Sequence, residues 1–309
     1  MQNTRKNDPQ DAQKLLELIR TDYPAFYQSV NENISKNPNA FKELSSFALG
    51  WAKEAIGADA LEVIAKGYAY FVTDVNRHQI EYCIRGHYKN KSYTEVYDQI
   101  YNNDEYMNIY HWGVFATLFL WNHHLRIYDF YRDQFLPMLD NCANMIELGS
   151  GSGIWSTLTC SLCPNITTLG IDISKSSLNI AQKISKSAGV SLRASFKVGD
   201  ALTFKQNALF DAGISCFLLE HLEAPKELMN NLAQCVKPGA PIFITAAITA
   251  AEVDHIYEFK NEVEVLDLLN ESGFRILQVQ STSPEPDERL CFLPRSIAII
   301  AVRKSSEHW

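Results

Sequence analysis

The chain has 309 residues, 46% of them apolar and 21% charged, which is enough for one large or two modest domains with substantial cores and unlike a disordered polymer. Its formal net charge of -8 argues against DNA or RNA as a partner, because phosphate backbones are usually met by clustered basic surface. No apolar run reaches roughly eighteen residues, and the start Met1-Gln2-Asn3-Thr4-Arg5-Lys6 lacks the apolar core of a signal peptide, so no membrane partner and a cytoplasmic location are expected.

Up to about Leu139 the apolar spacing is helical: Leu15, Leu16 and Ile19, then Phe41, Leu44, Phe47 and Ala48, then Leu61, Ile64, Ala65 and Tyr68. Tyr93, Tyr97 and Tyr101 recur every four residues and predict an aromatic stripe on one helix face, followed by Tyr106, Tyr110 and Trp121-Asn122-His123-His124. Such a stripe is commonly core. Buried tyrosines also need hydrogen-bond partners, so the segment from Tyr106 to His124 equally suits a lid that excludes water from an apolar or aromatic ligand. Arg85, His87 and Lys89 can meet an anionic group or form a solvated loop.

From Asn144 onward short β-rich runs alternate with amphipathic helical runs, the pattern of a parallel sheet wound with helices. Strands are predicted at 144–148, 167–171, 194–198, 211–215 and 241–246. Helices are expected from Ile154, from the Ser174 cap to Ala188 before Gly189, from Pro225 to Val236, and from Asn261 to Ser272. Phe274–Gln280 and Ser296–Val302 close the sheet as a hairpin with one antiparallel strand. Seven cysteines are scattered singly except for Cys160 and Cys163, which lack the second pair of a zinc site and read as buried thiols.

The most informative run is Met145-Ile146-Glu147-Leu148-Gly149-Ser150-Gly151-Ser152-Gly153. Glycines two apart allow positive φ and leave no Cβ in the way, so a ligand can approach the main chain at the start of the next helix. The spacing departs from the dinucleotide pattern G-x-G-x-x-G, and the Glu147 carboxylate would repel a phosphate, which favours a cationic ligand without one. Asp172 and Asp200 end the second and third strands. Each can bond a nucleoside; Asp172 can also cap a helix, and Asp200 can be an ordinary turn residue.

This glycine run resembles motif I of the class I S-adenosylmethionine-dependent methyltransferases. Phe210 to Leu222, ending Glu220-His221-Leu222, resembles that family's motif IV, and Leu232 to Ala240 resembles its helix-to-strand turn before the fifth strand. Residues 1–139, which that family does not specify, are expected from their helical spacing and tyrosine density to form an N-terminal all-helical cap. The resemblance covers about 144–303 and implies an α/β fold: a seven-stranded, doubly wound, mostly parallel Rossmann-like sheet in 140–309. It implies S-adenosyl-L-methionine as cofactor, held by Glu147, Gly149, Ser150, Gly151, Gly153, Asp172, Ile173, Asp200, Ala201, Cys216 and His221. Trp155 or Phe217 can face the sulfonium, or simply pack.

The implied activity is methyl transfer to a small molecule of secondary metabolism, carbon being slightly favoured over oxygen or nitrogen; a catalytically inactive binding protein of the same fold is the alternative from another class. A carbon acceptor must lose a proton, so a base near the sulfonium is informative. His221, Glu220 and His255 are the catalytic candidates. Tyr106, Tyr110, His123, His124, Asp254, His255 and Tyr257 are candidates for acceptor binding, the run Asp254-His255-Ile256-Tyr257 resembling small-molecule carbon methyltransferases. Nothing in the histidine spacing demands a metal, and none is expected; homo-oligomer formation stays open.

Overall fold

The computed structural model describes residues 10–97, 104–207, 209–285 and 290–305, with the backbone alone described at 104–106 and 108. The chain opens with four helices, α1 (Gln10–Asp22), α2 (Pro24–Lys36), α3 (Pro38–Ile56) and α4 (Ala60–Arg85). Proline at the first turn starts α2 and α3, where its missing N–H costs nothing, and α4 stops at Gly86 with φ +78°. The short α5 (Tyr93–Val96) carries the start of the expected tyrosine stripe, the Tyr93 and Tyr97 rings lying 5.8 Å apart, while Tyr101 falls outside the described residues.

α6 (Asp104–Leu120) and α7 (Asn122–Phe130) complete the helical half, followed by a π turn at Tyr131–Phe135. α4 and α6 cross backbone to backbone at Gly67 and Gly113. A Cβ on Gly113 would stand 2.6 Å from the Gly67 carbonyl oxygen, so only glycine permits this approach. Among the described residues, no helix is long and apolar enough to cross a membrane.

The second half builds the predicted sheet: β1 (Asn144–Leu148), β2 (Thr167–Asp172), β3 (Ala194–Val198), β4 (Ala212–Cys216), β5 (Pro241–Ile248), β6 (Phe274–Thr282) and β7 (Arg295–Arg303), in the order β3-β2-β1-β4-β5-β7-β6. β1 to β5 pair in parallel, and β7 runs antiparallel between β5 and β6. Helices α8 (Ile154–Leu162), α9 (Lys175–Ser187), α10 (Pro225–Cys235) and α11 (Glu262–Glu271) wind between the strands. β5 runs two residues beyond its expected end because β7 stays in register with it as far as the pair Ile248 and Arg295.

β1 and β4 lie at the centre and order reverses between them, so the carboxyl ends of β1, β2, β4 and β5 surround one crevice. One apolar core runs from Leu15, Leu44 and Phe119 in the helical half to Ile154, Phe243 and Ile300 in the sheet half. Phe243 on β5 is the hinge of that packing, its ring 4.9 Å from Tyr131 and 6.1 Å from Trp155. The helices are thereby fixed over the crevice rather than tethered beside it.

Candidate active site

β1 feeds a turn in which Gly149, Gly151 and Gly153 all take positive φ, at +76°, +50° and +69°. The Gly149 and Ser150 amides donate to the Ile171 carbonyl at 2.8 and 3.1 Å, which lashes the turn to the end of β2. A Cβ on Gly149 would meet Leu218 at 2.5 Å and one on Gly153 would meet Phe196 at 2.5 Å; on Gly151 it would meet nothing within 4 Å. The outer glycines therefore serve close packing, and the middle one leaves open space.

Three carboxylates ring this turn. Glu147 is buried beneath it and accepts from the Ser156 amide at 3.1 Å and from the Ser156 hydroxyl. Burial pushes its carboxyl up to about 8, so a cation reaching it would stabilise the ionised form. Asp172 accepts from the Gly151 and Ser174 amides, each at 2.8 Å, and burial raises its carboxyl as well. It thus shapes the turn and the entry to α9, whose cap is Ser174, while its oxygens keep further lone pairs. Asp200 accepts from the Leu202 amide at 2.8 Å. Apolar Ile173 and Ala201 flank these two acids, and Asn231 holds the Ala201 carbonyl at 2.6 Å.

Beyond β4 the chain turns sharply at Phe217, a non-glycine residue with φ +51° whose amide is held by the Thr245 hydroxyl at 2.9 Å. The one-turn 3-10 helix Leu219–His221 follows. The Glu220 carbonyl accepts from the Ile256 and Tyr257 amides at 2.8 and 2.9 Å, which draws the loop after β5 onto it. His221 and His255 consequently stand edge to face, ring centroids 4.8 Å apart. His221 Nδ1 lies 3.4 Å from Asp254 Oδ2, and that oxygen also accepts from the Tyr110 hydroxyl at 3.0 Å.

The helical half pins this loop from the other side. Gln79 on α4 donates to the Thr249 carbonyl and accepts from the Ala251 amide, and Asn90 donates to the Val253 carbonyl. Burial sets the charge states: His255 is pushed down to about 3 and His124 to about 4, while the Glu220 and Glu252 carboxyls are raised. Near neutral pH the His255 and His124 rings are uncharged.

The turn, the carboxylates and the two histidines open onto one cavity of about 1570 Å³. The cofactor candidates Glu147, Gly149, Ser150, Gly151, Asp172, Ile173, Asp200, Ala201, Cys216 and His221 line it, and so do the catalytic candidates Glu220, His221 and His255. Gly153 does not; its place is against Phe196 and Ala181. Tyr110, His123, His124, Asp254 and His255 line the acceptor side, where His124 packs 5.2 Å from Phe217 and Trp121 stacks on His123 at 5.0 Å. Tyr257 lies outside the cavity, 39% exposed and packed on Phe259, because its amide is turned toward Glu220 while its ring follows the other face of the loop. The Tyr106 side chain lies outside the described residues. Arg85 pairs with Glu81 at 3.0 Å and is not among the residues facing the cavity.

Sequence reasoning missed His111 and Glu252. His111 lines the cavity, bonded to the Ser177 hydroxyl of α9 at 3.1 Å and pushed down to about 4 by burial. No motif marks it in the sequence, and only the crossing of α6 over α9 turns it inward.

Residues 145–239 match a family model described as a methyltransferase domain. Norajmaline N-methyltransferase of Rauvolfia serpentina is 30% identical over 102 residues, 33% of this chain and 35% of that enzyme, so the chain spans about a third of that relative's length. The ubiquinone biosynthesis O-methyltransferase of Burkholderia pseudomallei (strain 1710b) is 24% identical over 161 residues, 46% of this chain and 68% of that one. Among solved structures, the S-adenosylmethionine-dependent methyltransferase SibL shares the fold with a TM-score of 0.55 at 14% identity, over 80% of this chain and 76% of that one. The [4+2]-cyclase SpnF does so with a TM-score of 0.50 at 17% identity, over 60% and 84%.

Proposed function

We propose that this chain is a class I S-adenosylmethionine-dependent methyltransferase that transfers the cofactor's methyl group to a small molecule held between the sheet and the helical segment 1–139, which acts as substrate cap over the cofactor-binding unit 140–309. The observation that carries this reading is that one cavity of about 1570 Å³ joins the glycine turn to the His221 and His255 pair and to the aromatic cap. Pockets for a single drug-sized ligand run to roughly 1,000 Å³, so this one has room for donor and acceptor together.

S-adenosylmethionine supplies an electrophilic methyl group already attached to a good leaving group, so the protein's task is alignment and control of charge. The residues present fit it: Gly151 leaves a Cβ-sized space at the turn, and Glu147 is a buried acid without a lysine or arginine partner among the described residues. Glu147 would take the ammonium end, Asp172 the ribose hydroxyls, and Asp200 the adenine amino group.

Carbon methylation in secondary metabolism is the favoured form, because His221, Glu220 and His255 gather groups able to activate a C–H bond where an oxygen or nitrogen acceptor needs less help. Oxygen or nitrogen methylation is the second reading, favoured by the names of the relatives. Seven cysteines, an odd number scattered along the chain, favour a reducing, cytoplasmic setting.

The test is incubation with methyl-labelled cofactor and a panel of 2-oxo acids, indoles, phenols, amines and prenyl diphosphates, with the product's labelled position read by NMR. A methyl group on carbon is expected. Tight binding of S-adenosylhomocysteine with no methylated product across the panel would favour an inactive binding protein, and no binding at all would overturn the cofactor assignment.

A further inference from the structure

We propose that Glu220, His221 and His255 bind a divalent first-row transition cation on the wall of the cavity. One ligand atom from each of the three lies within 4.8 Å of the other two. Donors around such an ion, at bond lengths of about 2.1 Å, sit roughly 3 to 4 Å apart, so a short inward rotation closes the shell. Two imidazoles and one carboxylate leave the remaining positions facing the cavity, where a ligand's oxygen or nitrogen can complete the shell.

Both imidazoles are already oriented as metal ligands are. His255 Nδ1 lies 2.7 Å from the Ala250 carbonyl, so its N–H donates there and Nε2 is left with its lone pair. His221 Nδ1 faces the Asp254 carbonyl at 3.3 Å and Asp254 Oδ2 at 3.4 Å, which fixes the same tautomer. Asp254 is held in turn by the Tyr110 hydroxyl, giving the carboxylate-histidine pairing that stiffens a metal ligand and makes it more basic.

A second, independent observation is Glu220. Its side chain is fully buried, 0% exposed, and neither carboxylate oxygen makes a well-aligned hydrogen bond, the backbone of Ala247 being its nearest donor outside its own residue. A buried acid so placed calls for a cation, and among the described residues no lysine or arginine pairs with Glu220 or with the neighbouring Glu252. Glu252 lies 3.7 Å from His255 Nε2 and places a second carboxyl on the same side. The Glu220 and His221 turn meets the loop of His255 through the two amide bonds to the Glu220 carbonyl, so the donors rest on a braced frame.

The ion's role rests on the methyl-transfer reading, whereas its binding does not. Ligated to the cation, an acceptor's oxygen would be polarised and the proton it must lose made more acidic.

The experiment strips the full chain with chelator and titrates it with Co²⁺ alone. One equivalent is expected to bind with a visible d–d band and no thiolate charge-transfer band. Glu220→Gln, His221→Asn and His255→Asn should each weaken binding by at least about tenfold. Because buried histidine variants can fail to fold, proton NMR of the Co²⁺-loaded native protein gives a reading without them: two exchangeable, hyperfine-shifted N–H signals, one from each Nδ1. Absence of saturable binding, a thiolate band, undiminished binding in folded variants, or no shifted N–H signals would each overturn the site. A protein that binds S-adenosylhomocysteine but not Co²⁺ loses the ion and keeps methyl transfer; the reverse pattern keeps the ion and removes methyl transfer.

Discussion

Replacing Glu147 by glutamine tests the cofactor side most directly, because the free protein holds this carboxyl protonated where an ammonium group would ionise it. With the group pushed up to about 8, roughly 0.9 of a proton sits on it near pH 7 and is released when a cation pairs with it. The amide keeps an acceptor for Ser156 but has no proton to release. Calorimetry of S-adenosylhomocysteine binding in buffers of different ionisation enthalpy should show about 0.9 proton released by the native protein and close to none by Glu147→Gln.

Native affinity should also rise about ninefold from pH 6 to pH 7, then flatten above 8. The stability of the free protein carries the same signature with its own sign. A carboxyl raised from 4.5 to about 8 contributes stability that is fully present below 4.5 and lost as pH rises through 8, to an upper bound of about 5 kcal/mol. Above pH 8 the Glu147→Gln protein should therefore melt higher than the native one. Equal proton release by the two proteins, or no rise of affinity with pH, would refute the placement of the ammonium end at Glu147.

Asp172→Ala should weaken S-adenosylhomocysteine binding by about 1 to 3 kcal/mol, since it removes charge-assisted bonds and also frees the Gly151 and Ser174 amides; unchanged affinity by calorimetry would remove Asp172 from the site. Gly151→Ala and Gly153→Ala should separate binding from folding. At Gly153 a Cβ meets Phe196 at 2.5 Å, and denaturant melts should show a loss of more than about 2 kcal/mol. At Gly151 the loss should be only about 1 kcal/mol while affinity falls about tenfold or more, and normal affinity there would mean that the ligand does not approach this turn.

The glycine turn, the seven strands and the helices between them were legible in the chain because turn chemistry and the periods of 2 and 3.6 residues are local properties, written within a few positions of one another. The positions of Glu147, Asp172 and Asp200 were legible for the same reason: each lies within two residues of the end of a strand whose limits the pattern gives. What came together across the chain was not. His221 faces His255 because β4 lies beside β5 and the Glu220 carbonyl ties their loops, and Tyr257, two residues on, turns away along the same loop.

The residues 1–139 read as an all-helical cap, but the way they meet the sheet was not written in them. Their position was decided by Phe243, Tyr131 and the Gly67 and Gly113 crossing, contacts between segments far apart in sequence whose value exists only after the core has closed. His111 and Glu252 joined the cavity on those terms, as did the pairing of Asp254 with Tyr110. Local pattern alone determined the elements and the glycine turn; which side chains share a wall was settled by packing, because distance in space between two loops depends on every layer between them.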